Sequence, residues 1–329
     1  MPDSRTWDRS RSDSWAGSDS DGEGGERLDS FLASVSGAFT PNTERALRAD
    51  LRIFVSWCRQ HRLDSMPART ATVVAFIDDI EHHRAPATVR RYVSSIATFH
   101  RVLRAPNPVD SAAVRLALQR MYQIRGRRQA QVQGLTWNLR NRLLEAAGSR
   151  LIDVRNRALV GIAYDTLLRR SELVSLRVSD LTEEVDGSAT LLVRKSKTDA
   201  EGTGAVLYLA RDTVLLVRDW LDRSGVAGGW LLRSVRKDGS VGEGLPPSQV
   251  PRIYKAMALL AGLPADTVAA LAAHSTRVGP VQDMIACGIE LPAILQAGRW
   301  RSARMVQRYG ERLLARRSGA AQLAAMQQR

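Results

Sequence analysis

Four short stretches of this 329-residue chain gather side chains that handle anions and protons. Arg169 and Glu172 follow the apolar run 158–168 and stand three apart, the spacing that puts two side chains on one helical face. Arg194-Lys195-Ser196-Lys197-Thr198 closes a β-rich run and holds two of the chain's four lysines. His274-Ser275-Thr276-Arg277 follows an alanine-rich helix and sets an imidazole and a guanidinium three apart at a helix start. Gly298-Arg299-Trp300 precedes Tyr309, with Arg301, Arg304, Arg308 and Arg312 around them. Singly, each has a plainer reading: a surface ion pair, a charged hairpin tip, a capped core histidine, a structural tyrosine.

The charge balance gives these cations a common target. The chain carries +14 overall, yet residues 1–26 hold seven acids against three arginines, so the remainder carries +18. An excess of that size points to a polyanion, most often nucleic acid. Of the basic residues 44 are arginine, whose planar fork suits bidentate contacts to phosphate and guanine, although a GC-rich genome would skew the Arg/Lys ratio in the same way. The two cysteines, Cys58 and Cys287, both fall in helical apolar patterns and exclude a disulfide framework or a multi-cysteine metal site. No apolar run reaches the ~18 residues a bilayer span needs, and the start of the chain is polar and acidic, unlike a secretory leader.

The elements that must position these groups are mostly helical. Residues 1–26, rich in Ser, Gly and Asp, read as a disordered acidic tail with order beginning near Leu28. Residues 27–125 read as a small helical domain. Thr40-Pro41 is an N-cap followed by proline at the first helical position, and Leu47, Leu51, Phe54, Val55 and Cys58 recur on one face. A second helix covers about 71–82. A third, after Pro86, buries Val89, Tyr92, Val93, Ile96, Phe99 and Leu103 and presents Thr88, Arg90, Arg91, Ser94, Ser95 and Arg101 outward. A fourth carries Val114, Leu118, Met121 and Tyr122. Residues 126–134, polar and basic, form a linker whose Arg127 and Arg128 could touch a phosphate backbone, or merely be solvated. Residues 135–329 are predominantly helical, with helices near 212–223, 248–261, 264–272, 280–287, 292–297, 302–309 and 318–327. The runs 190–194 and 206–209 suggest a small antiparallel sheet, with a turn at Asp186-Gly187.

In order along the chain, Arg169, Lys197, His274, Arg277, Trp300 and Tyr309 resemble the catalytic set of the tyrosine recombinases, the phage integrase family. The flanking runs 161–169, 274–279 and 295–300 share the likeness, which extends over roughly residues 28–327. The resemblance implies a mainly α protein, with an N-terminal helical core-binding domain and a mostly α catalytic domain carrying a small antiparallel sheet. Tyr309 would be the nucleophile, forming a 3′-phosphotyrosyl bond and releasing a 5′-hydroxyl without ATP. Arg169 and Arg277 would hold the non-bridging oxygens, where negative charge builds as the phosphorus is attacked in line, and the Trp300 indole could donate to the same group. Lys197 would protonate the leaving oxygen, with Lys195 as the competing candidate. His274 would assist Tyr309 or hold an oxygen, and Glu172 would orient Arg169 or His274. No cofactor and no metal is expected. Pro280, expected within the first turn of its helix, departs from the pattern, as does Arg301.

Base reading is expected from Thr88, Arg90 and Arg91 on the third helix, and from Ser248, Gln249 and Arg252 at the opening of the helix near 248–261. Those arginines could instead contact phosphates alone. The resemblance further implies a C-shaped two-domain clamp on double-stranded DNA with an inverted-repeat target. It implies a dimer per site assembling into a homo-tetramer, with residues 313–327 docking on a neighbouring protomer unless they fold back. No membrane partner is expected, and the location implied is the cytoplasm and nucleoid of a bacterial, phage or plasmid system. The competing functions are a type IB topoisomerase-like relaxing enzyme and a catalytically inactive DNA-binding protein.

Overall fold

In the computed structural model the structure describes residues 23–194 and 204–329. The chain divides into two compact units, residues 1–130 and 131–329. No described helix is long and apolar enough to cross a membrane.

The first unit contains α1 (Glu23–Ser34), α2 (Pro41–Gln60), α3 (Thr70–Ile80), α4 (Pro86–Val102) and α5 (Ala112–Arg125). Thr40 caps α2 by accepting from the Thr43 backbone N–H, Ser111 caps α5 in the same way, and the prolines at the openings of α2 and α4 supply a fixed φ where no N–H is needed. The core stacks Phe54 edge-on to Phe76 at 5.1 Å, and Trp57 packs on the same ring at 5.3 Å. α1 opens inside the stretch expected to be a tail. Leu28, Phe31 and Val35 recur at helical spacing and are buried, which gives this segment an apolar stripe to spend on the core. Ser95, expected on the polar face of α4, is instead 5% exposed and donates at 2.9 Å to Asp50, itself 1% exposed on α2. Ser95 supplies a donor to one Asp50 oxygen and Arg91 pairs with the other at 2.9 Å, so both small polar groups can sit between helices.

The second unit opens with α6 (Trp137–Ala146), α7 (Leu151–Thr166) and α8 (Arg170–Leu173). Its sheet runs β1 (Leu181–Glu183), β2 (Ala189–Val193), β3 (Ala205–Leu209), antiparallel and in sequence order. Leu191 pairs with Leu181 on one side and Leu207 on the other, and the alternation of Ala189, Leu191 and Val193 turns one face inward. Asp186-Gly187 makes the β1–β2 turn, with Gly187 at φ 84°. There follow α9 (Arg211–Ser224), α10 (Gln249–Leu260), α11 (Ala265–Ala270), α12 (Ser275–Ala286), α13 (Leu291–Gly298), α14 (Arg304–Tyr309), α15 (Glu311–Ala315) and α16 (Gly319–Met326). α7 is buried on nearly every side because α6, α9, α12 and β3 all pack against it.

Three local expectations are corrected. From Gln131 onward the stretch expected as linker is bonded along the second unit, through Gln133 N–H to Ala270 C=O at 3.0 Å and Leu135 N–H to Ser275 C=O at 2.9 Å. α12 begins at Ser275, so Pro280 is its sixth residue and removes the donor the Thr276 carbonyl would otherwise receive. Cys58 is buried, but Cys287 lies just past the end of α12 and is exposed.

Candidate active site

The site begins where α7 stops. Leu167 takes a left-handed backbone (φ 50°), a conformation that costs an L-residue roughly 1–2 kcal/mol, and is held there fully buried. That reversal ends the helix and leaves the Leu167 carbonyl without an intrahelical donor. Arg169 follows in extended backbone as the N-cap of α8. Arg169 and Glu172 therefore do not share a helical face; they meet across a helix start. The Glu172 carboxylate, 4% exposed, accepts the Arg169 backbone N–H at 3.0 Å and its guanidinium at 2.8 Å. It also accepts the Arg299 guanidinium at 2.6 Å. Burial by itself would raise this carboxyl's pKa, but the Arg169 N–H and the two guanidiniums outweigh it and hold it below its ordinary value.

Arg277 comes from the first turn of α12 and is 2% exposed. Its guanidinium donates to the free Leu167 carbonyl and, at 3.2 Å, to the Gly298 carbonyl at the end of α13. It lies 4.9 Å over the Trp300 ring. Burial, then repulsion from Arg169, lowers its pKa to about 10, with Tyr309 and Glu172 acting the other way. It still carries its charge at neutral pH. Gly298 leaves room for the indole, since a Cβ there would fall 1.7 Å from the Trp300 ring. Trp300 also meets Tyr309 edge to face, centroids 5.8 Å apart at 73°.

Tyr309 ends α14 and is 7% exposed, within a small apolar cluster with Leu167, Val278, Val281, Ile285, Ile294 and Val306. Its carbonyl, one of those a helix leaves unpaired at its C-terminus, accepts from Gln131 at 3.1 Å and Gln282 at 3.2 Å. His274 occupies the N-cap position of α12 and is exposed. Partial desolvation, then the positive charges of Arg277, Arg169 and Arg170, push its pKa below the ordinary value and favour the neutral imidazole.

Arg169, Glu172, His274, Arg277, Trp300 and Tyr309 are thus brought together from three separate stretches, 169–172, 274–277 and 298–309. The Lys197 and Lys195 assignments lie outside the described residues. Glu172 bonds to Arg169 as expected, but its other partner is Arg299; among the described residues it makes no hydrogen bond to His274. Arg299, Gln131 and Gln282 were missed as parts of the site. Arg299 occupies the left-handed position after α13 (φ 54°), where glycine would be the unstrained choice, a feature only the backbone shows. The glutamines gave no signal in the sequence either, because their common acceptor is a main-chain carbonyl far along the chain.

Of the expected base-reading residues, Arg90 is exposed and Thr88 half-buried. Arg91 projects outward, paired with Asp50 at 2.9 Å. Arg127 lies over the Tyr122 ring at 4.2 Å, and Arg128 is exposed. Ser248 and Arg252 are exposed and Gln249 is half-buried at the opening of α10.

Residues 133–314 match the phage integrase family. The chain is 29% identical over 290 residues to the Cre recombinase of Escherichia phage P1, covering 83% of this chain and 84% of that protein. It is 28% identical over 281 residues to an integrase/recombinase XerD homologue of Selenomonas ruminantium, covering 82% and 81%. Among solved structures it resembles a lambda integrase tetramer bound to a Holliday junction (TM-score 0.59, 16% identity, 86% of this chain and 76% of that one). At that identity the likeness is one of fold.

Proposed function

The chain belongs to the phage integrase family, the tyrosine-type site-specific recombinases, and from that premise we propose that it recombines DNA in the manner of the Cre recombinase, one strand at a time through a covalent 3′-phosphotyrosyl intermediate. The observation that carries the reading is the contact of Arg277 with Trp300 and of Trp300 with Tyr309, with the Arg169 charge close enough to act on Arg277.

The Tyr309 phenol attacks phosphorus; the P–O5′ bond breaks as the P–O(Tyr) bond forms, so one phosphodiester replaces another and no ATP is needed. The phenol's proton passes to the neutral His274 or to water. The departing 5′-oxygen takes a proton from Lys197 or Lys195. Arg277 and Arg169 stabilise the charge that builds on the non-bridging oxygens, and the Trp300 indole N–H adds a donor. Arg277 is fixed in advance by two carbonyls and an indole face, so little reorganisation remains for the moment of reaction. Glu172 positions Arg169.

The first unit acts as the core-binding domain. Thr88, Arg90 and Arg91 on α4, Arg127 and Arg128 beyond α5, and Ser248, Gln249 and Arg252 at α10 meet an inverted-repeat duplex. The protein assembles as a homo-tetramer on two sites. Support for the assembly comes from α16, none of whose residues is buried, with Leu323 49% and Met326 81% exposed.

The test is selection from a randomised, nicked duplex library for DNA that the protein captures covalently. Capture by the wild type and none by Tyr309→Phe is expected; capture by both overturns the assignment. Recombination between two copies of the selected site is expected in addition. Relaxation of supercoils without recombination would indicate a type IB-like enzyme, and binding without capture an inactive DNA-binding protein. With the selected duplex, log K should fall by about 0.9 per phosphate neutralised for each tenfold rise in salt.

A further inference from the structure

We infer that Arg299 is a positioning residue of the cleavage reaction: it takes up the negative charge of Glu172, so that this carboxylate can hold Arg169 in place without neutralising it toward the substrate. The inference rests on the recombinase reading and deepens it.

A carboxylate bonded to a phosphate-binding arginine is a compromise. It fixes the guanidinium, but in a buried setting it also cancels much of the field that the guanidinium would present to a developing phosphorane. Here the compromise is relieved by geometry. Glu172 presents Oε1 to Arg169 at 2.8 Å and Oε2 to Arg299 at 2.6 Å, and the Arg299 side chain is only 14% exposed. Among the described residues the rest of the Arg299 guanidinium has no competing acceptor: Nε and Nη1 are buried without a hydrogen-bond partner. The three guanidiniums of Arg169, Arg277 and Arg299 therefore stand against the single Glu172 carboxylate, and the site retains a net positive field.

The backbone points the same way. Arg299 holds a left-handed conformation at φ 54°, which glycine adopts freely and an arginine does not. A side chain kept at that cost, reaching across to α8, ties the segment before Trp300 to the segment carrying Arg169. Because its unpartnered nitrogens are closed off, Arg299 acts through Glu172 and not as a phosphate ligand.

Single-turnover capture of the duplex selected by the wild type should be measured for wild type, Arg299→Gly, Arg299→Lys, Glu172→Gln and the double variant Arg299→Gly with Glu172→Gln, together with thermal melting of each. Arg299→Gly relieves the backbone but takes a charge partner from the buried Glu172, so the melting temperature should fall, while capture slows roughly ten- to a hundredfold. Arg299→Lys should recover part of the rate. In the Glu172→Gln background, where no carboxylate charge remains to offset, Arg299→Gly should cost less than about threefold. A wild-type rate for Arg299→Gly, or an equal loss in both backgrounds, overturns the inference while leaving the enzyme assignment standing. Absence of capture by the wild type overturns the assignment and the inference with it.

Discussion

The two units bury polar groups for opposite ends. In the first, buried polar side chains are neutral or anionic and are bonded between neighbouring elements. His100, fully buried, donates from Nδ1 to the Ile96 carbonyl and accepts the Ala68 N–H on Nε2 at 2.9 Å, while Ser95 answers Asp50. In the second, the arginines near Tyr309 outnumber the one buried carboxylate, Glu172, and Arg277 is held by two main-chain carbonyls, which fix its position without removing its charge. The first arrangement specifies how helices pack. The second stores unneutralised positive charge in a low-dielectric pocket, which stabilises nothing until an anion arrives.

The sharpest way to break this contrast is at Arg277. Arg277→Ala should slow strand capture by about a hundred- to a thousandfold, the scale of losing one transition-state donor. It should also destabilise the fold by about 1–3 kcal/mol for each carbonyl left without its donor. Duplex binding by this variant should persist, since the clamp is needed chiefly in the transition state; loss of binding equal to loss of capture would place the residue in ground-state recognition instead.

A smaller effect is expected from pH. Burial lowers the His100 pKa below 6.5, with the Ile96 bond acting the other way, and its two hydrogen bonds require the neutral ring. Acidification therefore protonates the unfolded chain first, so stability should be full above about pH 6.5 and decline below it until the folded histidine itself takes up a proton. Thermal melts between pH 7.5 and 5 should show this decline, and His100→Gln should flatten it; an unchanged slope in that variant would assign the acid sensitivity elsewhere. His274 is lowered as well, mainly by desolvation, so capture should hold a plateau through neutral pH and fall only on the acid side of 6.5. A rate that keeps climbing through pH 8 would argue against a neutral His274 in the mechanism.

The smallest test separates two neighbours on α4. Ser95→Ala removes the donor to the buried Asp50 and should cost about 1–2 kcal/mol, whereas exposed Ser94→Ala should stay within about 0.5 kcal/mol. Equal effects in denaturant melts would erase the distinction between a paired buried serine and a solvated one.

The amino-acid order alone was enough for whatever depends on near neighbours. Apolar recurrence marked α2 to α5, Thr40-Pro41 marked a helix start, and β-rich runs marked β2 and β3, because these properties arise within a few residues of backbone. The ordered series from Arg169 to Tyr309 was also legible, since residue type and sequence order survive without coordinates. Ser95 was misjudged because a small hydroxyl reads as polar until a buried carboxylate is found 45 positions away. The partner of Arg299 lies 127 positions away, and the carbonyl anchors of Arg277 were invisible for the same reason: Leu167 and Arg277 are 110 residues apart, and a main-chain carbonyl has no signature in the sequence. Which cations keep their charge and which are cancelled was decided only by the path of the folded backbone, because electrostatic pairing depends on separations of a few ångströms that residue order does not specify.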